Sequence, residues 1–319
     1  MRFLVTGGAG FLGSAICRQL IKMKAEVIVF DSFVQYISPL ESKYQKYLEL
    51  RFEGITDKLN IVRGDTRDKL NLQRTLCKFK PQVIIHLAAL PLADMSDQYP
   101  VETYSTIIEG TVNILENMRD MPFIKRLVFA SSSMVYGDFR YNPADEGHPK
   151  SPKDIYGGAK YASEVIIQAY GRRYGLDCVI IRPSAIYGPT DINRRVSQIF
   201  IERAMANKEI IIYGNGEEKL DFTFVKDTAS GFVLASIRPE ARNEVFNITR
   251  GEGRSLNEYA AILRKYFPKL KTVKKPVNLH RPHRGALDIL KAKRLLGYKP
   301  GYSLEEGIDE YVRFLKRVN

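Results

Sequence analysis

Tyr156 and Lys160 stand four residues apart at the start of a helical pattern running through Ala162, Val165, Ile166, Ala169 and Tyr170. Residues at that spacing share one helix face, one turn apart, so a phenol and an ammonium are presented side by side. A cation beside a phenol favours the phenolate and draws its pKa down from about 10 towards neutrality. The chemistry on offer is that of a general base. A tyrosine and a lysine on an ordinary helix face do nothing of the kind, so the elements that position them decide.

The chain opens on a short apolar strand, Arg2–Thr6, followed by Gly7-Gly8-Ala9-Gly10-Phe11-Leu12-Gly13 and a helix through Ala15, Ile16, Leu20 and Ile21. Glycines at 7, 10 and 13 between strand and helix allow a tight turn, close backbone approach and close helix packing, with an anion site at the helix N-terminus. A second strand, Glu26–Phe30, ends in Asp31, where an acid suits the ribose hydroxyls of NAD and repels the 2′-phosphate of NADP; a turn or helix cap is the plainer use of the same residue. Further strands are expected at Leu59–Arg63, Val83–Leu87, Arg126–Ala130 and Cys178–Arg182, with helices near Leu70–Phe79, Val101–Met118 and from Tyr156 to Tyr174, helical character over the polar stretch 36–54, and a loop over Leu90–Pro100. Strand and helix alternating in this way predict an α/β fold, a doubly wound parallel sheet with right-handed crossovers. Ligands bind at the carboxyl ends of such strands, which here carry Ala88, Ala89 and Ser131-Ser132-Ser133. His86, inside a strand, reads as a packed histidine. After Pro183 the pattern changes to a helix near Val196–Ala206, strands at Ile210–Tyr213, Phe222–Val225 and Val245–Ile248, a helix Thr228–Ile237, and a mostly helical tail with caps at Ser255 and Ser303.

Composition narrows the class. The chain has 319 residues and a net charge of +13, with lysine and arginine dispersed apart from moderate concentrations at 269–275 and 281–284. No basic helix or basic-aromatic repeat accompanies the charge, so the surface suits a polyanionic small molecule better than a nucleic acid. No apolar run approaches the ~20 residues that span a bilayer, and no signal-peptide pattern follows Met1, so no membrane association is expected. Cys17, Cys77 and Cys178 read as reduced thiols of a cytoplasmic protein, and no metal site is expected.

Thr6 to Gly13, Asp31, Gly64-Asp65, His86-Leu-Ala-Ala89, Ser132 and Tyr156-x-x-x-Lys160 together resemble the extended short-chain dehydrogenase/reductase family, and within it the NAD-dependent sugar-nucleotide epimerases and dehydratases. Val135-Tyr136-Gly137, Tyr187-Gly188-Pro189, Tyr213-Gly214-Asn215-Gly216, Asp221-Phe222, Asp227 and Leu296-Gly297-Tyr298 extend the resemblance over nearly the whole chain. It implies a Rossmann domain over residues 1–182, with 222–249 returning to it, and a smaller, mostly helical substrate lobe from 183–221 and 250–319. NAD would lie against Gly7, Gly10, Phe11, Leu12, Gly13, Asp31, Asp65, Thr66, Leu87, Ala88 and Ala89. Tyr156 would take a proton from a sugar hydroxyl, Ser132 would hydrogen-bond the same oxygen, and Lys160 would hold the nicotinamide ribose and bias Tyr156 towards phenolate. The family's dimers imply a homodimer pairing the helices near Val101–Met118 and Tyr156–Tyr174.

Where the sequence departs from the family pattern it sorts subclass and substrate. The acid pair of the 4,6-dehydratases is replaced by Ser133 and Met134, which disfavours dehydration, and decarboxylation with it. That leaves a sugar-nucleotide epimerase, acting by default at carbon 4, or an NAD(P)-dependent 4-keto sugar-nucleotide reductase; a non-catalytic NAD-binding regulator is the alternative of another class. Asparagines of the pattern are replaced by Ile107 and Ala185, and an arginine that meets the substrate diphosphate by Leu220. Ser133, Ala185, Lys219, Arg281 and Arg284 are therefore the expected substrate-side residues, the last three as alternative sources of the missing positive charge.

Overall fold

The computed structural model describes residues 1–35, 43–90, 93–276 and 282–318. Its centre is a seven-stranded sheet of β1 (Arg2–Thr6), β2 (Glu26–Asp31), β3 (Leu59–Arg63), β4 (Val83–His86), β5 (Arg126–Ala130), β6 (Cys178–Pro183) and β11 (Val245–Ile248). The order is β3-β2-β1-β4-β5-β6-β11 and every pairing is parallel. The inner strands are continuous apolar runs because both faces are covered. One face packs on α1 (Phe11–Lys22), α9 (Val225–Ile237) and α11 (Leu290–Leu296) through residues such as Ile16, Leu20, Phe232 and Ala292. The other packs on α3 (Lys69–Phe79), α6 (Gly110–Asp120) and α7 (Ile155–Tyr174) through Leu72, Ile114 and Ile167. The strand order reverses direction between β1 and β4, which opens a crevice at their carboxyl ends.

A second core lies beyond β6. It gathers α8 (Val196–Met205), α10 (Leu256–Tyr266) and α12 (Leu304–Val318) around Phe200, Phe222, Tyr259 and Tyr311, and takes Tyr47 from α2 (Tyr44–Phe52). Three two-stranded ribbons stitch it: β7 (Ile186–Tyr187) with β10 (Thr223–Phe224), β9 (Lys219–Leu220) with β12 (Arg254–Ser255), and β8 (Ile210–Tyr213) with β13 (Thr272–Lys275). Ser255 and Glu258 form a reciprocal capping box on α10, and Ser303 with Glu306 does the same on α12.

Asp221 ties this region together. It is fully buried, and its carboxylate accepts from the backbone N–H groups of Arg250 at 3.1 Å, Gly251 at 3.2 Å and Leu287 at 3.0 Å. Asp221→Ala is expected to cost on the order of 3 kcal/mol or more, since each buried N–H stripped of its acceptor costs ~1–3 kcal/mol. Chemical denaturation reads this directly, and an unchanged midpoint would refute it.

Local structure departs from expectation in two places. The single helix expected over Val101–Met118 is α5 (Pro100–Tyr104), a π-helical turn at Ser105–Glu109, and α6, while α4 (Ala93–Gln98) occupies the stretch expected as a loop. The tail carries the strand β13. α2 falls within the stretch 36–54, where helical character is expected, and residues 36–42 lie outside those described.

Candidate active site

Every residue expected to hold the cofactor lines one cleft at the carboxyl ends of β1, β2, β4 and β5. Gly7 adopts φ +67°, and a Cβ there would meet the Ala88 backbone N at 3.0 Å. A Cβ on Gly13 would lie 2.2 Å from the Gly7 carbonyl oxygen, so helix α1 can pack this close to the turn only with glycine there. Gly10 caps α1 without a side chain, which leaves the first-turn N–H groups facing the cleft. Asp31 braces the turn, its Oδ2 accepting from Ala9 N at 2.9 Å and its Oδ1 from Phe33 N at 2.8 Å. Burial raises the Asp31 pKa, and those two N–H bonds pull against it. At Asp65 burial also pushes upward, but the hydrogen bonds and charge of Arg67, at 2.6 Å, outweigh it and hold the carboxyl below its usual range.

Thr66 and Thr106 bring buried hydroxyls to the same cleft, and neither Oγ1 has a hydrogen-bond partner among the described residues. Thr106 lies in the π-helical turn, a local widening of the helix often found at functional sites. His86 is packed, as expected. Thr111 donates its hydroxyl proton to Ile107 O at 2.6 Å, so it accepts from His86 Nε2–H at 3.2 Å; Nδ1 then accepts from Thr6 Oγ1 at 2.7 Å. Burial, aided by the Lys160 charge, lowers the His86 pKa to about 3, so the ring is neutral.

Tyr156 is half-buried in the first turn of α7 and hydrogen-bonds Ser132, whose Oγ also accepts from Met134 N at 3.2 Å. Lys160 is almost fully buried one turn on, and its Nζ donates to Ala130 O at 2.6 Å. The ammonium lies 5.7 Å from the Tyr156 ring centroid and 4.8 Å from that of Phe129. The shared helix face is as expected, but its electrostatic consequence is not. Burial raises Tyr156 to about 12; the charge opposing this is Arg195, and Asp154 adds to the rise. Burial likewise lowers Lys160 to about 7, against the charge of Glu164. Desolvation of two neighbouring groups outweighs the pairing that their spacing predicts.

The substrate-side expectations divide. Arg284 reaches the site, its Nη1 lying 3.4 Å from the Met134 sulfur, and its charge acts on Asp154 beside Tyr156. Ser133 is buried in the short 3-10 turn after Ser132. Ala185 sits between β6 and β7 with φ +35°. Lys219 is exposed on β9 and does not line the cofactor cleft, and Leu220 beside it is packed into the second core. Arg281 lies outside the described residues. Two cations that sequence reasoning missed do line the cleft: Arg195, paired with Asp191 at 3.1 Å, and Arg51. Neither belongs to a local motif, and only the tertiary fold brings them there.

The model of the NAD dependent epimerase/dehydratase family matches residues 3–249. The chain belongs to this family. It is 36% identical over 99% of both chains to a putative UDP-glucose 4-epimerase of Methanocaldococcus jannaschii. A solved UDP-glucuronic acid 4-epimerase from Bacillus cereus, in complex with UDP-glucuronic acid and NAD, superposes with a TM-score of 0.91 at 26% identity and full coverage of both chains. Dehydratases are relatives too: a dTDP-glucose 4,6-dehydratase of Salmonella typhimurium is 28% identical over 98% of this chain and 92% of its own.

As a member of the NAD dependent epimerase/dehydratase family the chain takes NAD, and its residues fit that cofactor. The glycine turn packs α1 and Ala88 so closely that only glycine fits, which brings the bare first-turn N–H groups of α1 to the cleft, the Asp31 carboxylate closes the end of β2, and the two unpartnered threonine hydroxyls face the cleft. Among the described residues no helix is long and apolar enough to cross a membrane.

Proposed function

We propose that this chain is an NAD-dependent sugar-nucleotide epimerase, with carbon 4 of the sugar as the default position. The observation that carries the proposal is the convergence of Ser132, Tyr156 and Lys160 at the end of a cleft built for NAD. In this site NAD supplies reversible oxidation of the sugar alcohol. Tyr156 takes the proton of the reacting hydroxyl and later returns it, acting as general base and then as general acid. Ser132, bonded to Tyr156, holds the same oxygen in line. Lys160, anchored on Ala130 O, stands one turn from the phenol, and the positive charge of Arg195 also favours its ionised form. Because the keto sugar is reduced again on its other face, no net redox change accumulates. Ser133 and Met134 offer no carboxylic acid beside Ser132, which supports epimerisation over elimination of water.

In this proposal the substrate lies between the Rossmann domain (1–182 with 222–249) and the lobe formed by 183–221 and 250–319. Arg284 and Arg195 receive its anionic groups in place of the arginine missing at Leu220. The protein acts as a homodimer: Val101, Tyr104 and Val165 expose apolar side chains on α5 and α7, the helices that would pair. The decisive experiment presents UDP-, GDP-, CDP- and dTDP-sugars and follows new anomeric signals by NMR together with absorbance at the NADH wavelength. A new sugar signal without net NADH change is expected. Stoichiometric NADH consumption with a keto sugar would instead establish the reductase, and no product from any sugar would leave a cofactor-binding regulator.

A further inference from the structure

Arg51 is a cation that the mechanism above does not use. It lies on α2, is 4% exposed, and lines the cofactor cleft beside Asp31 and the glycine turn. Its guanidinium donates from Nη1 to Ala9 O at 3.0 Å, from Nη2 to Thr190 O at 2.7 Å and from Nε to Thr190 Oγ1 at 3.4 Å. All three acceptors are neutral. A guanidinium has five N–H donors, so two remain. Among the described residues no carboxylate lies within ion-pair distance. Asp31 spends its oxygens on Ala9 N and Phe33 N, while Asp191 bonds Asn193 N and Arg195 through Oδ1 and its Oδ2 has no hydrogen-bond partner among the described residues. Both carboxylates act on Arg51 only from further away, and burial lowers its pKa. A buried cation without a bonded anion is costly to keep. This one stands where the first-turn N–H groups of α1 already form an anion cradle.

We propose that Arg51 is a second anion-binding element of the cleft, placing its charge and its two remaining N–H donors on the diphosphate of NAD. The helix N-terminus then supplies partial charges from one side and the guanidinium a full charge from the other, with the fork geometry that suits phosphate oxygens. The bonds to Ala9 and Thr190 fix the fork in advance, so little side-chain entropy is lost on binding. The same bonds join the glycine turn to the segment that carries Asp191 and Arg195. This inference rests on NAD as cofactor and not on the epimerase reading, so binding data test it whatever the turnover experiments show.

The test is direct binding of NAD, ADP and adenosine to the full chain and to Arg51→Gln and Arg51→Lys, by calorimetry at several salt concentrations. For Arg51→Gln the Kd for NAD and ADP should rise about tenfold or more, the size of one charge-assisted hydrogen bond, with a flatter salt dependence. Adenosine, which lacks the diphosphate, should bind as before. Arg51→Lys keeps the charge without the fork and should fall between. Equal losses for adenosine and NAD would make Arg51 a scaffold residue only, and an unchanged NAD affinity would overturn the proposal outright. Should Arg51→Gln fail to fold, the unaltered protein carries the test. Its Arg51 Nε–H resonance, assigned through Arg51→Lys, should move on adding ADP and stay still with adenosine; movement with neither, or with both alike, overturns the proposal.

Discussion

Tyr156→Phe is expected to reduce turnover by about 10³-fold, within the usual range for loss of a general acid–base, while NAD affinity changes little. Phenylalanine retains the ring that packs over Lys160 and loses only the hydroxyl that bonds Ser132. The prediction also has a pH signature, because the base must be deprotonated and Lys160 must be charged. Rates should therefore rise with pH as Tyr156 ionises and fall as Lys160 loses its proton. In the cofactor-free protein those two events stand in the wrong order: burial raises Tyr156 to about 12 and lowers Lys160 to about 7. The phenolate–ammonium pair is thus a minor species at every pH until a further positive charge enters the site. The oxidised nicotinamide ring is such a charge. Ultraviolet difference titration should show Tyr156 protonated through pH 10 without NAD, and ionising at distinctly lower pH with NAD, the difference signal vanishing in Tyr156→Phe. Undiminished turnover in that variant would remove Tyr156 as the base. A titration indifferent to NAD would remove the electrostatic account.

The parts of this site written in local chemistry were legible in the sequence. The glycine turn, Asp31, Ala88-Ala89 and the serines after β5 lie at strand ends, where strand, turn and helix patterns fix their positions within a few residues. Arg51 could not be read that way, because its partners Ala9 and Thr190 lie 42 and 139 residues away. Arg195 was missed for the same reason: its value comes from facing a helix on another part of the chain. The break at Ser105–Glu109 escaped because one π-helical turn leaves the apolar periodicity on either side intact. The spacing of Tyr156 and Lys160 gave their common face but not the depth of burial, and burial set the direction of both pKa shifts. Leu220 illustrates the converse. Its departure from the family pattern was visible at once, and the structure explains it by packing the side chain into the second core.

Beneath Lys160 lies the feature expected to matter most for stability. Glu164, one turn further along α7, is gripped by Arg182 of β6 through two bonds, Nε to Oε1 at 2.9 Å and Nη2 to Oε2 at 2.6 Å, with both side chains at most 2% exposed. Ser131 also donates to Glu164, while Arg182 donates to Tyr136 at 3.0 Å, and Tyr136 to Asn247 at 2.7 Å. The network thus joins the end of β5 to β6 and β11. Breaking a buried pair on one side strands a charge and costs about 3–5 kcal/mol. Glu164→Gln and Arg182→Met should each lower the unfolding free energy by that order. The double variant should recover part of it, because neither member of the pair is left alone; strictly additive losses would show that the two side chains do not act as a pair. Stability alone does not describe Glu164, since its charge is what opposes the burial of Lys160. Among the described residues Glu164 is the carboxylate whose charge acts on Lys160. Removing Glu164 therefore lowers the Lys160 pKa further below about 7, and the alkaline limb of the rate profile should move to lower pH in Glu164→Gln and in the double variant alike. If the double variant regained both its stability and the original pH profile, Glu164 would be structural cement and nothing more.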